Sequence, residues 1–248
     1  MERHQVELDA PGFGRAGTVI RYGHWGRPVL VFPSEAGRAE DFADHGMVGA
    51  VQHLVDEGRV SFFCVDSLDG WSWSDASAPI EERAHRHATY QAWLEQSVVP
   101  WITESVGGGH ELITLGASMG AYHAVHFAFQ RADLAPLAIG LSGNYDVGTW
   151  RAWGERGDAT YFANPTAYVA NMEGDHLEWV RSRVSVLLVV GQGPFEESPT
   201  RSLQATREFA DILSRKGIRN ELDVWGHDSA HDWPWWQRQL AHHLPRFV

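Results

Sequence analysis

A serine set between two glycines, carboxylates downstream of it and histidines further on are, in that order, the parts of an acyl-transfer catalyst. The serine is Ser118 in Gly116-Ala117-Ser118-Met119-Gly120, a G-x-S-x-G pattern. A serine at the tip of a strand-to-helix turn sits in strained backbone, and side chains two positions either side would collide; Gly116 and Gly120 remove them. The turn lifts the hydroxyl of Ser118 into solvent and aims the backbone N–H of Met119 at the place where an oxyanion would form. A lone serine is a poor nucleophile, so a base must take its proton and a third group must orient that base. Where the serine stands on such a turn, the acid and then the histidine follow at the carboxyl ends of later strands. That order narrows the fourteen histidines to His227 and His231, in the stretch 225–233. His242 and His243 fall on a closing helix as surface residues, and His123 and His126 follow Ser118 on its own helix as structural ones.

The elements that must hold these groups can be read from periodicity. Residues 17–22 and 28–33 are two strands, followed by apolar positions at helical spacing over 41–56 and a strand at 62–66. Pro79 opens a long helix over 80–106, kinked at Pro100, with Glu81 and Glu82 complementing its dipole. The unit carrying Ser118 is a strand and helix over 111–127, then come a strand at 137–142 and the loop 143–146. Residues 147–180, rich in Trp, Gly and Asn, are expected to be an irregular, cap-like excursion over the active face. Val184 to Gly191 is apolar throughout, as in a parallel strand covered on both faces. A loop with Glu196 and Glu197, a helix over 202–216, a strand at 221–225, the loop 226–233 and a helix over 235–247 complete the chain. Strands alternating with helices predict an α/β fold with a largely parallel central sheet and helices on both faces, and residues 1–248 are expected to form one domain.

Composition bounds the rest. With 44% hydrophobic residues the chain can bury a substantial core. A net charge of −12 without a Lys/Arg cluster argues against nucleic acid and anionic membranes as partners. No apolar signal region or spanning segment is present, which predicts a cytoplasmic protein, and the single Cys64 allows no internal disulfide. Many of the twelve tryptophans fall in loops; Trp71, Trp73 and Tyr145 are candidates for lining an acyl pocket, with a packing role as the alternative. His227-Asp228-Ser229-Ala230-His231 imitates a zinc-binding helix, but Gly226 and Pro234 bracket a loop and no third ligand is evident, so no metal and no cofactor are expected.

His231-Asp232-Trp233-Pro234-Trp235-Trp236 resembles the H-x-W-x-x-W region of the putative-esterase branch of the α/β-hydrolases, which includes S-formylglutathione hydrolase (esterase D) and the mycolyltransferases. With Gly-Ala-Ser-Met-Gly-Ala at 116–121 and Trp-Gly-His-Asp at 225–228, the similarity covers nearly the whole chain and is greatest to small bacterial esterases. The resemblance implies an α/β-hydrolase fold and makes His231 the catalytic histidine. It puts the acid in the loop after the strand ending at Gly191, where Glu196 is preferred and Glu197 is second; Asp223 and Asp228 are substitutes, and Pro194 stands where some relatives carry aspartate. It gives the second oxyanion donor to the backbone N–H of Glu35, or of Ser34 one residue earlier. The expected activity is hydrolysis of a small-molecule carboxylic ester through a Ser-His-acid triad and an acyl-enzyme. Acyl transfer to a sugar hydroxyl, thioester hydrolysis and a silent binding module are the rivals, and the aromatic loops leave room for a dimer.

Overall fold

The computed structural model describes residues 1–248. Its strands are β1 (Arg3–Ala10), β2 (Arg15–Tyr22), β3 (Arg27–Phe32), β4 (Val60–Val65), β5 (Ile113–Ala117), β6 (Leu137–Leu141), β7 (Ser185–Val190) and β8 (Arg219–Val224). They form one eight-stranded sheet in the order β1-β2-β4-β3-β5-β6-β7-β8. The pairs from β4 through β8 are parallel, while β1 and β2 add an antiparallel edge. The apolar runs make sense in this sheet because alternate residues face opposite layers. Val29 and Val31 of β3 pack with Val51, Leu54, Trp236 and Leu240 on one face. Leu30 and Phe32 pack with Trp93, Ile102 and Phe127 on the other.

The helices that follow β3 over the first face are short. Residues 41–56, read as one helix, form three pieces: α1 (Asp41–Asp44), α2 (Met47–Ala50) and α3 (Gln52–Asp56). Gly46 causes the first break, with φ +74°, a left-handed conformation in which no helix continues. On the second face, α4 (Ile80–Trp93) and α5 (Val99–Ser105) are joined by a π-helical turn over Leu94–Val98. The interruption lies just before Pro100, which has no N–H for the carbonyl of residue 96, so the expected kink takes this form.

After β5 comes α6 (Met119–Gln130), and after β6 the chain makes its excursion. That segment is mainly helical, not irregular: α7 (Asp158–Phe162), α8 (Pro165–Asn171) and α9 (Gly174–Arg183) follow one another closely. Glu81 at the start of α4 ties it down by accepting the N–H groups of Gly157, Ala159 and Thr160 and the Thr160 hydroxyl. The sheet then resumes with β7, α10 (Ser202–Arg215) and β8, and α11 (Trp233–His243) closes over the first face. The N-terminal residues form the edge strand β1, whose Val6, Leu8 and Ala10 pack towards the second-face core. No helix is long and apolar enough to cross a membrane.

Candidate active site

Ser118 leaves the carboxyl end of β5 in the centre of the sheet and caps α6 with φ 57° and ψ −122°, a conformation that a non-glycine residue adopts only under strain. Its N–H donates to the Leu141 carbonyl at 2.9 Å, which anchors the turn to the neighbouring strand. The two glycines are required by contact. A Cβ on Gly116 would run into the Gly120 carbonyl, and one on Gly120 would strike the carbonyls of Phe32 and Pro33.

Two later loops meet Ser118. His231 Nε2 is 2.9 Å from Ser118 Oγ, and His231 Nδ1 is 3.1 Å from Glu196 Oε2. With Nδ1–H donating to the carboxylate, Nε2 is left to accept the serine proton. The His231 side chain is 9% exposed and Glu196 is fully buried. The loops lie against each other because Gly191 and Gly193 leave room for the Ser229 carbonyl, which accepts the Gly193 N–H at 2.9 Å. The His231 N–H in turn donates to the Pro194 carbonyl at 3.0 Å. Glu197 is exposed and does not touch His231; Asp223 lies in β8 and accepts from His243 and Trp225, away from Ser118.

The other carboxylate oxygen of Glu196 is held as firmly. Glu196 Oε1 accepts the Ser142 hydroxyl at 2.6 Å and the Gly191 N–H at 3.2 Å. Ser142 Oγ accepts the indole N–H of Trp236 at 3.0 Å, and that indole also meets the His231 ring edge-to-face at 5.0 Å. Ser142 has φ +53°, a left-handed conformation at the end of β6. Ser142 belongs to no motif; its only signal in the sequence is Trp236, the last tryptophan of the H-x-W-x-x-W stretch, whose indole needs an acceptor once buried.

Ser118, Met119 and Glu35 line one cleft of about 760 Å³, with Trp73 and Trp150 among its walls. The backbone N–H groups of Met119 and Glu35 have no protein acceptor. The Glu35 carboxylate looks elsewhere, accepting the Ser74 hydroxyl at 2.8 Å. Of the three aromatics expected in the pocket, only Trp73 lines it. Trp71 packs on Phe13 and under Arg86, outside the cleft. Tyr145 is fully buried and stacks on Phe209; burial, and then the charge of Glu196, push its hydroxyl pKa up.

His227 is exposed and does not reach Ser118. His123 and His126 are buried: His123 Nε2 meets Asp69 Oδ1 at 3.0 Å, and His126 Nδ1 meets Tyr168 at 3.3 Å. His243, expected at the surface, is buried because it bonds Asp223 at 2.8 Å. Asp223, His242 and His243 are the one group of potential metal ligands that converge, but the donors from Trp225 and His243 already occupy Asp223, and Arg246 stands 3.1 Å from His243 Nδ1.

A mostly parallel sheet with a serine elbow after its central strand and a histidine loop after its last strand defines an α/β-hydrolase. The chain belongs to the family described as Putative esterase, whose sequence profile matches residues 33–247, and it is an esterase-type enzyme. Among solved structures it is similar to a ferulic acid esterase, with 14% identity, TM-score 0.74 and coverage of 99% of this chain and 97% of that one. It is also similar to MPT51 of Mycobacterium tuberculosis, at 14% identity, TM-score 0.72 and coverage of 99% and 97%. An S-formylglutathione hydrolase from Agrobacterium tumefaciens matches at 14% identity, TM-score 0.73 and coverage of 98% and 93%. No curated protein matches by sequence.

Proposed function

We propose that the chain is a serine carboxylic-ester hydrolase working on small-molecule esters, with Ser118 as nucleophile, His231 as base and Glu196 as acid. The observation that carries this reading is the continuous hydrogen-bonded line from Ser118 Oγ through His231 to Glu196, at 2.9 and 3.1 Å, opening on a cleft. His231 takes the Ser118 proton as Oγ attacks the ester carbonyl, and Glu196 stabilises the imidazolium that results. The tetrahedral oxyanion is received by the N–H groups of Met119 and Glu35, each worth about 3 kcal/mol of transition-state stabilisation. Collapse of that intermediate passes the proton from His231 to the leaving alcohol and leaves an acyl-Ser118. Water, deprotonated by the same imidazole, then attacks the acyl carbonyl and frees the acid and the serine.

Steady-state hydrolysis of 4-nitrophenyl acetate tests the scheme. Ser118→Ala and His231→Ala should each lower kcat by about 10⁴-fold or more while circular dichroism stays unchanged. Retention of wild-type turnover by Ser118→Ala would refute it.

A further inference from the structure

The walls of the cleft carry two arginines that the chemistry above does not use. Arg151 stands on the excursion just after Val147–Thr149, and Arg201 stands on the opposite, acid-bearing loop at the amino end of α10. Every arginine of the chain except Arg15, Arg151, Arg201 and Arg215 is held by a side-chain hydrogen bond, an ion pair or an aromatic ring. Two of these four free guanidiniums thus line the cleft that contains Ser118. Both are solvent-exposed, and in a chain with 32 acidic residues neither is paired with one, so both are free to meet an anion entering the cleft.

The carboxylates nearby do not neutralise them. Glu35 takes the Ser74 hydroxyl. Glu197 sits on the rim shared with a neighbouring depression that contains Arg207, and it pairs with neither Arg151 nor Arg201. The amino end of the fourteen-residue helix α10 adds partial positive charge beside Arg201. The overall charge of −12 repels anions at long range, so any affinity for one must come from such local groups.

We infer that this enzyme selects anionic esters: Arg151 and Arg201 receive a carboxylate or phosphate carried by the substrate while its ester carbonyl meets Ser118. The inference rests on the esterase reading of the same cleft. Guanidinium suits the task because its planar fork matches both oxyanions and stays charged at every working pH. The polar lining supplied by Asn144, Thr149, Thr200 and Ser202 fits a charged substrate better than a long acyl chain.

The test compares kcat/KM on matched pairs. 4-Nitrophenyl hydrogen adipate against its methyl ester places the charge on the acyl side, and 4-acetoxybenzoate against its methyl ester places it on the leaving group. The anionic member of at least one pair should be preferred by about tenfold. That ratio should shrink with added KCl, fall towards one in the Arg151→Gln/Arg201→Gln double variant, and survive in large part in the corresponding double lysine variant. A ratio of one or less for both pairs in wild type, or a preference kept by the double glutamine variant, overturns the inference while Ser118-dependent turnover leaves the esterase reading intact. If no ester is turned over, the esterase reading fails instead. Adipate titration followed by isothermal calorimetry then decides the arginines alone: saturation lost in the double glutamine variant supports them, and no saturable response overturns them.

Discussion

Both oxygens of the fully buried Glu196 carboxylate are engaged, one by His231 and the other by Ser142 and Gly191. A carboxylate held this way cannot turn away from the imidazole, and the imidazole must keep Nε2 towards Ser118. Glu196→Gln should therefore lower kcat by about 10⁴-fold, because the amide favours the wrong imidazole tautomer. Ser142→Ala keeps the acid but frees one of its oxygens, and should lower kcat by about tenfold with KM near wild type. Trp236→Phe keeps the ring beside His231 and loses only the N–H, so a smaller loss in the same parameter is expected. Steady-state kinetics on one activated ester check all three, and a Ser142→Ala enzyme with wild-type kcat would remove that serine from the account.

At the scale of elements, Glu81 joins α4 to the excursion that bears Arg151. Partial burial alone would raise its pKa, but the Thr160 hydroxyl and the amides of Gly157, Ala159 and Thr160 outweigh this and bring it down to about 2 from the ordinary 4.5. The folded state thus favours the carboxylate; its stabilisation is complete above about pH 4.5 and is lost as pH falls towards 2. Glu81→Gln should cost roughly 2 kcal/mol at neutral pH and little at pH 2, measured by urea unfolding at both. Such a tie also explains which elements the sequence reveals. The strands β3, β5 and β7 are readable because both of their faces are buried, and the elbow because its glycines are forced by backbone contact. By contrast, α7 has only five residues, and its amino end is held by Glu81, which is 76 residues or more away in the chain. Strand β1 has only Val6, Leu8 and Ala10 alternating towards the core on a mostly exposed edge, so its signal is short and weak. At the site, the motif points to Ser118 and chain order to the loop with His227 and His231, whereas His231 over His227 and Glu196 over Glu197 are choices that only the family resemblance makes. Neither motif nor order points to Ser142, since its role comes from a left-handed turn that brings three distant segments together.

The molecule as a whole contains a buried group of imidazoles where α4 meets α6. Rings of His87 and His126 lie 5.2 Å apart, as do those of His87 and His123. Burial, and then His123, push the pKa of His126 down to about 3 from 6.5, and burial pushes His87 well below its ordinary value. The unfolded chain therefore binds protons that the folded one refuses, so stability falls as pH drops below about 6.5 and goes on falling towards 3. Denaturation followed at pH 7.5, 6 and 5 should show this decline, and a His126→Gln variant should show a shallower one. A slope unchanged by that substitution would mean that the acid sensitivity lies elsewhere.

Whether Ser118 is an activated nucleophile is read out by intact-mass spectrometry after treatment with a fluorophosphonate. One adduct per chain is expected on the wild-type protein, and none on Ser118→Ala or His231→Ala under the same conditions. No adduct on the wild type, or an adduct that persists on Ser118→Ala, would contradict that role.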